Sequence, residues 1–159
     1  MMKVLSFILL MTFGIFHSQE LKNYGFENLP DKLEKPILIY IKTNWCSICK
    51  IQKYQIEKDL EVKNLLEKNV YFLVFNPEKY KESITFLGES YDYILNGNSG
   101  IHELAVEVSS NKKPVYPTWI LIDTNGKVLF RNEGLIDNGT LKLLINTSTP
   151  PSVTNKKTF

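Results

Sequence analysis

Three dense apolar runs stand out along this chain. Residues 37–42, 70–75 and 116–122 are built almost wholly from Ile, Leu, Val, Tyr, Phe and Trp, without an alternating polar face. Runs of this length and density predict strands buried on both faces of a sheet. Between the first two, residues 46–58 read as a helix. Residues 60–68 read as a second, shorter one, with Leu60, Val62, Leu65 and Leu66 as its apolar positions. Strand, helix, strand in that order predicts a βαβ unit with parallel strands and a right-handed crossover. After the third run, Asp123-Thr124-Asn125-Gly126 predicts a hairpin turn, with Asn-Gly supplying positive φ, and residues 127–131 are its antiparallel partner. Gly134 then breaks the chain, and residues 138–145 read as a final helix.

Residues 77–114 form a long connection. Residues 78–87 are expected to be helical. Asn96-Gly97-Asn98-Ser99-Gly100 is a turn cluster. Ile101, Leu104, Ala105 and Val108 then fall at i, i+3, i+4 and i+7, which predicts a helix that buries this face and leaves Glu103 and Glu107 exposed. Residues 20–35 lead into the first strand with a short helix expected over 21–29. Residues 147–159 are polar, carry Pro150-Pro151, and read as a disordered tail. No internal repeat is present. The pattern predicts an α/β protein: a central mixed sheet flanked by helices, with a helical insertion before the third strand.

Composition changes this picture little. A chain of 159 residues makes one compact domain, and 43% hydrophobic with 23% charged residues is ordinary for a globular protein. A net charge of +2 without a Lys/Arg block gives no footprint for nucleic acid. The N-terminus is a separate device. Met1-Met2-Lys3 is a basic start, residues 4–16 are nearly all apolar, and His17-Ser18-Gln19 turns polar. The run is short for a membrane span and suits a signal peptide over residues 1–19, cleaved near Ser18 or Gln19. The alternative is an uncleaved anchor. The domain then covers residues 20–146 of an exported, periplasmic or otherwise extracytoplasmic protein.

The candidate chemistry lies in Trp45-Cys46-Ser47-Ile48-Cys49-Lys50, which holds the only two cysteines. The pair follows the first predicted strand and opens the first predicted helix. A sulfur at a helix N-terminus meets unpaired N–H groups and the positive end of the helix dipole, which stabilise thiolate. Three readings fit the spacing: a redox pair, half of a metal site, or an inert disulfide. A bridge across two residues closes almost no loop, so a purely structural role is poorly motivated. Two thiolates supply half a tetrahedral zinc shell, and the only histidines are His17 in the leader and His102. Copper handling through the two thiols lacks a third ligand in the same way. Export and spacing favour redox chemistry, with no cofactor and no metal.

At this point the chain resembles the thioredoxin family, over roughly residues 36–145. Three features carry the likeness: the Cys46-x-x-Cys49 motif after a buried strand, Tyr116-Pro117-Thr118 just before the hairpin, and Gly134 followed by a helix. Asp59-Leu60-Glu61-Val62 is further similar to exported thioredoxin-like domains such as the C-terminal part of the bacterial transmembrane thiol–disulfide interchange protein, where Asp-x-x-Val starts a short second helix. The resemblance implies a thioredoxin fold in which Cys46 is the nucleophile and Cys49 the resolving thiol. It also implies a cis peptide before Pro117 that exposes the Tyr116 backbone to an extended substrate, with Thr118 in the same loop and Trp45 flanking the sulfur. The plainer readings are an ordinary strand-start proline for Pro117 and a packed aromatic for Trp45. Two departures bear on mechanism. Thioredoxin places a buried aspartate where this chain has Tyr40, and the lysine that pairs with it has no counterpart in residues 70–75. The dipeptide Ser47-Ile48 also lacks the histidine of strongly oxidising relatives.

These features predict a thiol–disulfide oxidoreductase, reducing or exchanging rather than oxidising, that acts on protein disulfides and draws electrons from a membrane-embedded donor. The alternative is a non-catalytic binding module or chaperone-like adaptor, motivated by Tyr40. His102 is expected to be a surface histidine. Asn138-Gly139-Thr140 and Asn146-Thr147-Ser148 match the glycosylation acceptor pattern.

Overall fold

A computed structural model describes residues 21–109 and 113–148. The leader over 1–19 lies outside these residues, as does most of the tail. In chain order the elements are β1 (Ile37–Ile41), α1 (Ser47–Lys58), α2 (Leu60–Asn69), β2 (Tyr71–Phe75), β3 (Ile84–Phe86), β4 (Glu89–Tyr91), β5 (Tyr93–Asn96) and β6 (Ser99–His102). Then come α3 (Glu103–Glu107), β7 (Thr118–Ile122), β8 (Val128–Glu133) and α4 (Asn138–Ser148).

The central sheet has the order β2-β1-β7-β8. β1 pairs with β2 in parallel, and with β7 antiparallel. Strand alternation divides the apolar runs between two cores. Ile37, Ile39, Ile41, Leu73, Phe75, Ile120 and Ile122 point to one face. Leu38, Tyr40, Phe72, Trp119 and Leu121 point to the other. On this second face lie the inward stripes of the three long helices: Cys49 and Ile56 of α1, Val62 and Leu66 of α2, Leu141 and Ile145 of α4. Each such buried aliphatic side chain contributes on the order of 1.5–3 kcal/mol over leaving it in water. Burial on both faces is why the strands read as continuous apolar runs.

The first face is covered differently from expectation. The helix expected over 78–87 is absent; β3 and β4 form a hairpin there. Ile84 and Phe86 are buried with Thr85 exposed between them, a period of two that suits a half-buried strand. Leu87 at φ 52° and Gly88 at φ 89° make the two-residue turn. The helix expected over 101–108 shrinks to α3. Ile101 belongs to β6 instead and pairs with Ile94, so its place in the apolar stripe was coincidental. Leu104, Ala105 and Val108 are buried as expected, Glu107 is exposed, and Glu103 is half-covered because its carboxylate accepts from the Asp92 N–H. The helix expected over 21–29 is only a 3₁₀ turn, Phe26–Asn28. The chain before it is committed to the sheet edge: the Tyr24 N–H donates to the Phe72 carbonyl at 2.7 Å. α4 runs through Thr147 and Ser148, the first two residues of the expected tail.

His102 is not on the surface. It is fully buried. Leu104 N–H donates to Nδ1 at 3.3 Å, so the ring carries its proton on Nε2, which lies 3.1 Å from the Glu82 carbonyl. Edge contacts to the Phe75 and Tyr80 rings complete the surroundings. A polar ring is accommodated because both nitrogens are satisfied.

Candidate functional site

β1 ends at Ile41, and the loop that follows delivers Cys46 to the N-cap of α1. Cys46 and Cys49 are joined by a disulfide, with sulfurs 2.09 Å apart and Cα atoms 5.2 Å apart. The Cys49 N–H donates to Cys46 Sγ at 3.0 Å. Cys46 is 5% exposed and Cys49 2%. The geometry therefore puts the first sulfur against the free N–H groups of a 12-residue helix, the arrangement that favours thiolate.

Trp45, 67% exposed, stands beside the disulfide. Its Nε1–H donates to both Glu78 carboxylate oxygens, at 2.9 and 3.2 Å. Its ring meets the Tyr116 ring edge-on at 5.7 Å. The Tyr116–Pro117 peptide is cis. Burial, and then the negative Glu78, push the Tyr116 hydroxyl up to about 12. Thr118 is buried, and its hydroxyl donates to the Val115 carbonyl at 2.6 Å, which ties down the loop on the other side of Pro117. Ile48, between the cysteines, and Ile51 and Val115 are exposed apolar side chains.

Three supports hold this site; Gln52 and Glu78 carry no sequence signal, whereas Gly134 reads in the sequence as the break before the last helix. Gln52, buried on α1, holds both groups of Ile136: its Nε2 donates to the carbonyl at 2.9 Å and its Oε1 accepts from the N–H at 2.8 Å. Gly134, at φ 109°, donates its N–H to the Pro117 carbonyl at 2.7 Å. The loop from Gly134 to Ile136 thus links the proline turn to the helix that carries the cysteines. The third support is Glu78, which reaches Trp45 from the far end of the βαβ unit.

Tyr40 lies behind the disulfide. Its hydroxyl donates to the Cys49 carbonyl at 3.0 Å, and its ring packs on Trp119 at 4.4 Å. Burial raises its pKa far above the ordinary phenol value, so it stays neutral. A cavity of about 410 Å³ opens beside it, lined among others by Leu21, Thr43, Cys49, Glu57 and Phe72. Further along, Asp59 caps α2, accepting from the Glu61 and Val62 N–H groups at 3.1 Å each. Among the described residues no group of three or more His, Cys, Asp and Glu side chains is gathered as a metal site would need, and no helix is long and apolar enough to cross a membrane.

A four-stranded mixed sheet, a Cys-x-x-Cys disulfide capping the first helix and a proline turn before the third sheet strand define a thioredoxin-fold protein. The sequence matches the thioredoxin-like domain family over residues 30–148, and the chain belongs to that family. No curated protein matches the sequence. Among solved structures, the chain is similar to a thioredoxin-fold protein from Helicobacter pylori at 18% identity and a TM-score of 0.54, over 72% of this chain and 69% of that one. An exposed lipoprotein thioredoxin from Streptococcus pneumoniae is 16% identical with a TM-score of 0.49, over 74% and 87% of the two chains. A thiol–disulfide isomerase from Corynebacterium glutamicum is 16% identical with a TM-score of 0.48, over 81% and 89%.

Proposed function

We propose that this protein is an exported thiol–disulfide oxidoreductase that reduces or exchanges disulfides in other proteins. The observation that carries the reading is Cys46 at the N-cap of α1, its sulfur accepting the Cys49 N–H. In the reduced state the same N–H groups face a thiolate, and Cys46 attacks a substrate disulfide. One substrate sulfur becomes bonded to Cys46, and the other leaves as thiolate. Cys49 then attacks Cys46 Sγ, which closes the intramolecular disulfide and releases the second substrate thiol. Two electrons pass from the pair to the substrate, and a membrane-embedded reductase is the donor that would restore them. The reading assigns substrate docking to Trp45, Tyr116 and Pro117: Trp45 directly precedes Cys46, its ring meets that of Tyr116, and Tyr116 packs on the cluster that holds both cysteines, while Ile48 and Ile51 add exposed apolar surface suited to an unfolded segment. Export rests on the leader over residues 1–19, and the preference for reduction or exchange on the absence of histidine between the cysteines.

The test is trapping. Cys49→Ser removes the resolving nucleophile, so partners are expected to accumulate as reducible adducts on Cys46. Cys46→Ser is expected to trap little. If neither variant yields adducts from the exported compartment and the wild-type pair exchanges with no small disulfide, the non-catalytic binding module is the better reading.

A further inference from the structure

Among the described residues Thr43, Gln55, Trp119 and Asn138 each carry a buried side-chain polar atom without a hydrogen-bond partner, and of these four Thr43 alone lines the cavity beside Cys49. Thr43 is 2% exposed, and its hydroxyl has no hydrogen-bond partner among the described residues while the Cys46–Cys49 disulfide is closed. A buried hydroxyl without a partner is costly, and such groups are few in a folded protein. Thr43 lines the same cavity as Cys49 and Tyr40. The Tyr40 hydroxyl already donates to the Cys49 carbonyl. In this cavity Thr43 is therefore the buried hydroxyl still free to act on a sulfur.

We propose that Thr43 is a positioning residue for the second half of the exchange, a hydroxyl without a partner in the disulfide state that donates to the Cys49 sulfur once reduction frees it. The inference rests on the exchange reaction proposed above. In the mixed disulfide between Cys46 and a substrate, Cys49 carries a free thiol. Donation from Thr43 stabilises the thiolate form, and the proton lost from Cys49 passes to solvent through the cavity. The thiolate attacks Cys46 Sγ; the bond from Cys46 to the substrate breaks, and the substrate leaves with the electron pair as thiolate. The same hydrogen bond stabilises the reduced pair, whereas the unpartnered hydroxyl disfavours the oxidised one. Both effects make the disulfide easier to reduce.

The experiment compares wild type, Thr43→Val and Thr43→Ser in the oxidised and reduced forms. Valine keeps the volume and removes the hydroxyl; serine keeps the hydroxyl. Thr43→Val is expected to make the disulfide about tenfold harder to reduce, equivalent to ~30 mV for a two-electron couple. Its oxidised form should melt higher than wild type and its reduced form no higher. The pH midpoint for resolution of a mixed disulfide should move up. Thr43→Ser should restore wild-type behaviour in all three. A merely structural threonine would shift both melting points together and leave the potential alone, and that result overturns the proposal. Wild-type protein with a measurable potential and turnover, matched by Thr43→Val in both, also overturns it while leaving the oxidoreductase reading intact. A wild-type pair that does not exchange at all removes both.

Discussion

His102 offers the sharpest test of how the covered face of the sheet is held. It joins three pieces: β6, to which it belongs; α3, whose Leu104 N–H it caps; and the Glu82 carbonyl just before β3. His102→Ala removes two ring hydrogen bonds, each worth about 0.5–1.5 kcal/mol net. It strands the buried Leu104 N–H, at a further cost of about 1–3 kcal/mol. It also leaves a void against the Phe75 and Tyr80 rings, whose centroids lie 5.5 and 5.9 Å from that of the imidazole. Allowing for partial collapse and overlap of these terms, the expected loss is about 3–4 kcal/mol. For a domain of this size that corresponds to a drop in Tm of roughly 10 °C. His102→Asn supplies an N-cap oxygen but not the second bond or the ring, so it should recover only about 1 kcal/mol. Urea unfolding of the oxidised proteins gives the free energies, and reduction of a small disulfide by the folded variants should match wild type. A His102→Ala protein within about 0.5 kcal/mol of wild type, the range of ordinary surface substitutions, would refute the claim that this ring fastens the insertion.

Two further outcomes follow from local geometry. Cys46 in the reduced protein should be alkylated far faster than Cys49 at neutral pH, with a midpoint below the free-thiol value of about 8.5; a midpoint at or above it refutes activation by the helix start. Asp59→Ala should cost about 1 kcal/mol through loss of the α2 cap. Burial pushes the Asp59 carboxyl up, but the Lys142, Val62 and Asn138 hydrogen bonds outweigh it and hold its pKa below the ordinary value. Its contribution is therefore present above about pH 4 and lost as pH falls through the depressed folded value. The stability difference between wild type and variant should shrink over that acidic window, and an unchanged difference contradicts the assignment.

How legible each part was in the sequence follows from the range of the interactions that make it. β1, β2 and β7 are buried on both faces, so their apolar runs are unbroken and the signal is local. The cysteine motif and Tyr116-Pro117-Thr118 are likewise contiguous. The insertion is the opposite case. Its strands are three or four residues long, and only Ile84, Phe86 and His102 among them are buried. One of its turns places Leu87, not glycine or asparagine, at positive φ, which removes the usual turn signal. Ile101 fell at helical spacing from Leu104, Ala105 and Val108 and imitated a longer helix. His102 reads as polar until its two acceptor and donor partners are known. At the site, Gln52 meets Ile136 across 84 residues of sequence, and Glu78 meets Trp45 across 33. No local pattern encodes pairings of that range.

The substitution of Tyr40 for the buried aspartate of thioredoxin has a physical consequence for the exchange step. A carboxylate at this position would lie in the middle of a strand whose other four residues are wholly apolar and buried. Without a cationic partner its burial costs several kcal/mol, and the facing residues of β2 supply none: Val74 is the register partner of Tyr40. The phenol avoids that cost. Its ring packs at a tilt on Trp119, its hydroxyl donates a hydrogen bond to the Cys49 carbonyl, and it so fixes the first turn of α1 against the sheet. Held neutral by burial, it does not accept the Cys49 proton. The position that serves proton transfer in thioredoxin serves helix anchoring here. Deprotonation of Cys49 then depends on what else reaches it, and the cavity shared by Cys49 and Thr43 is where solvent and an unpartnered hydroxyl come together.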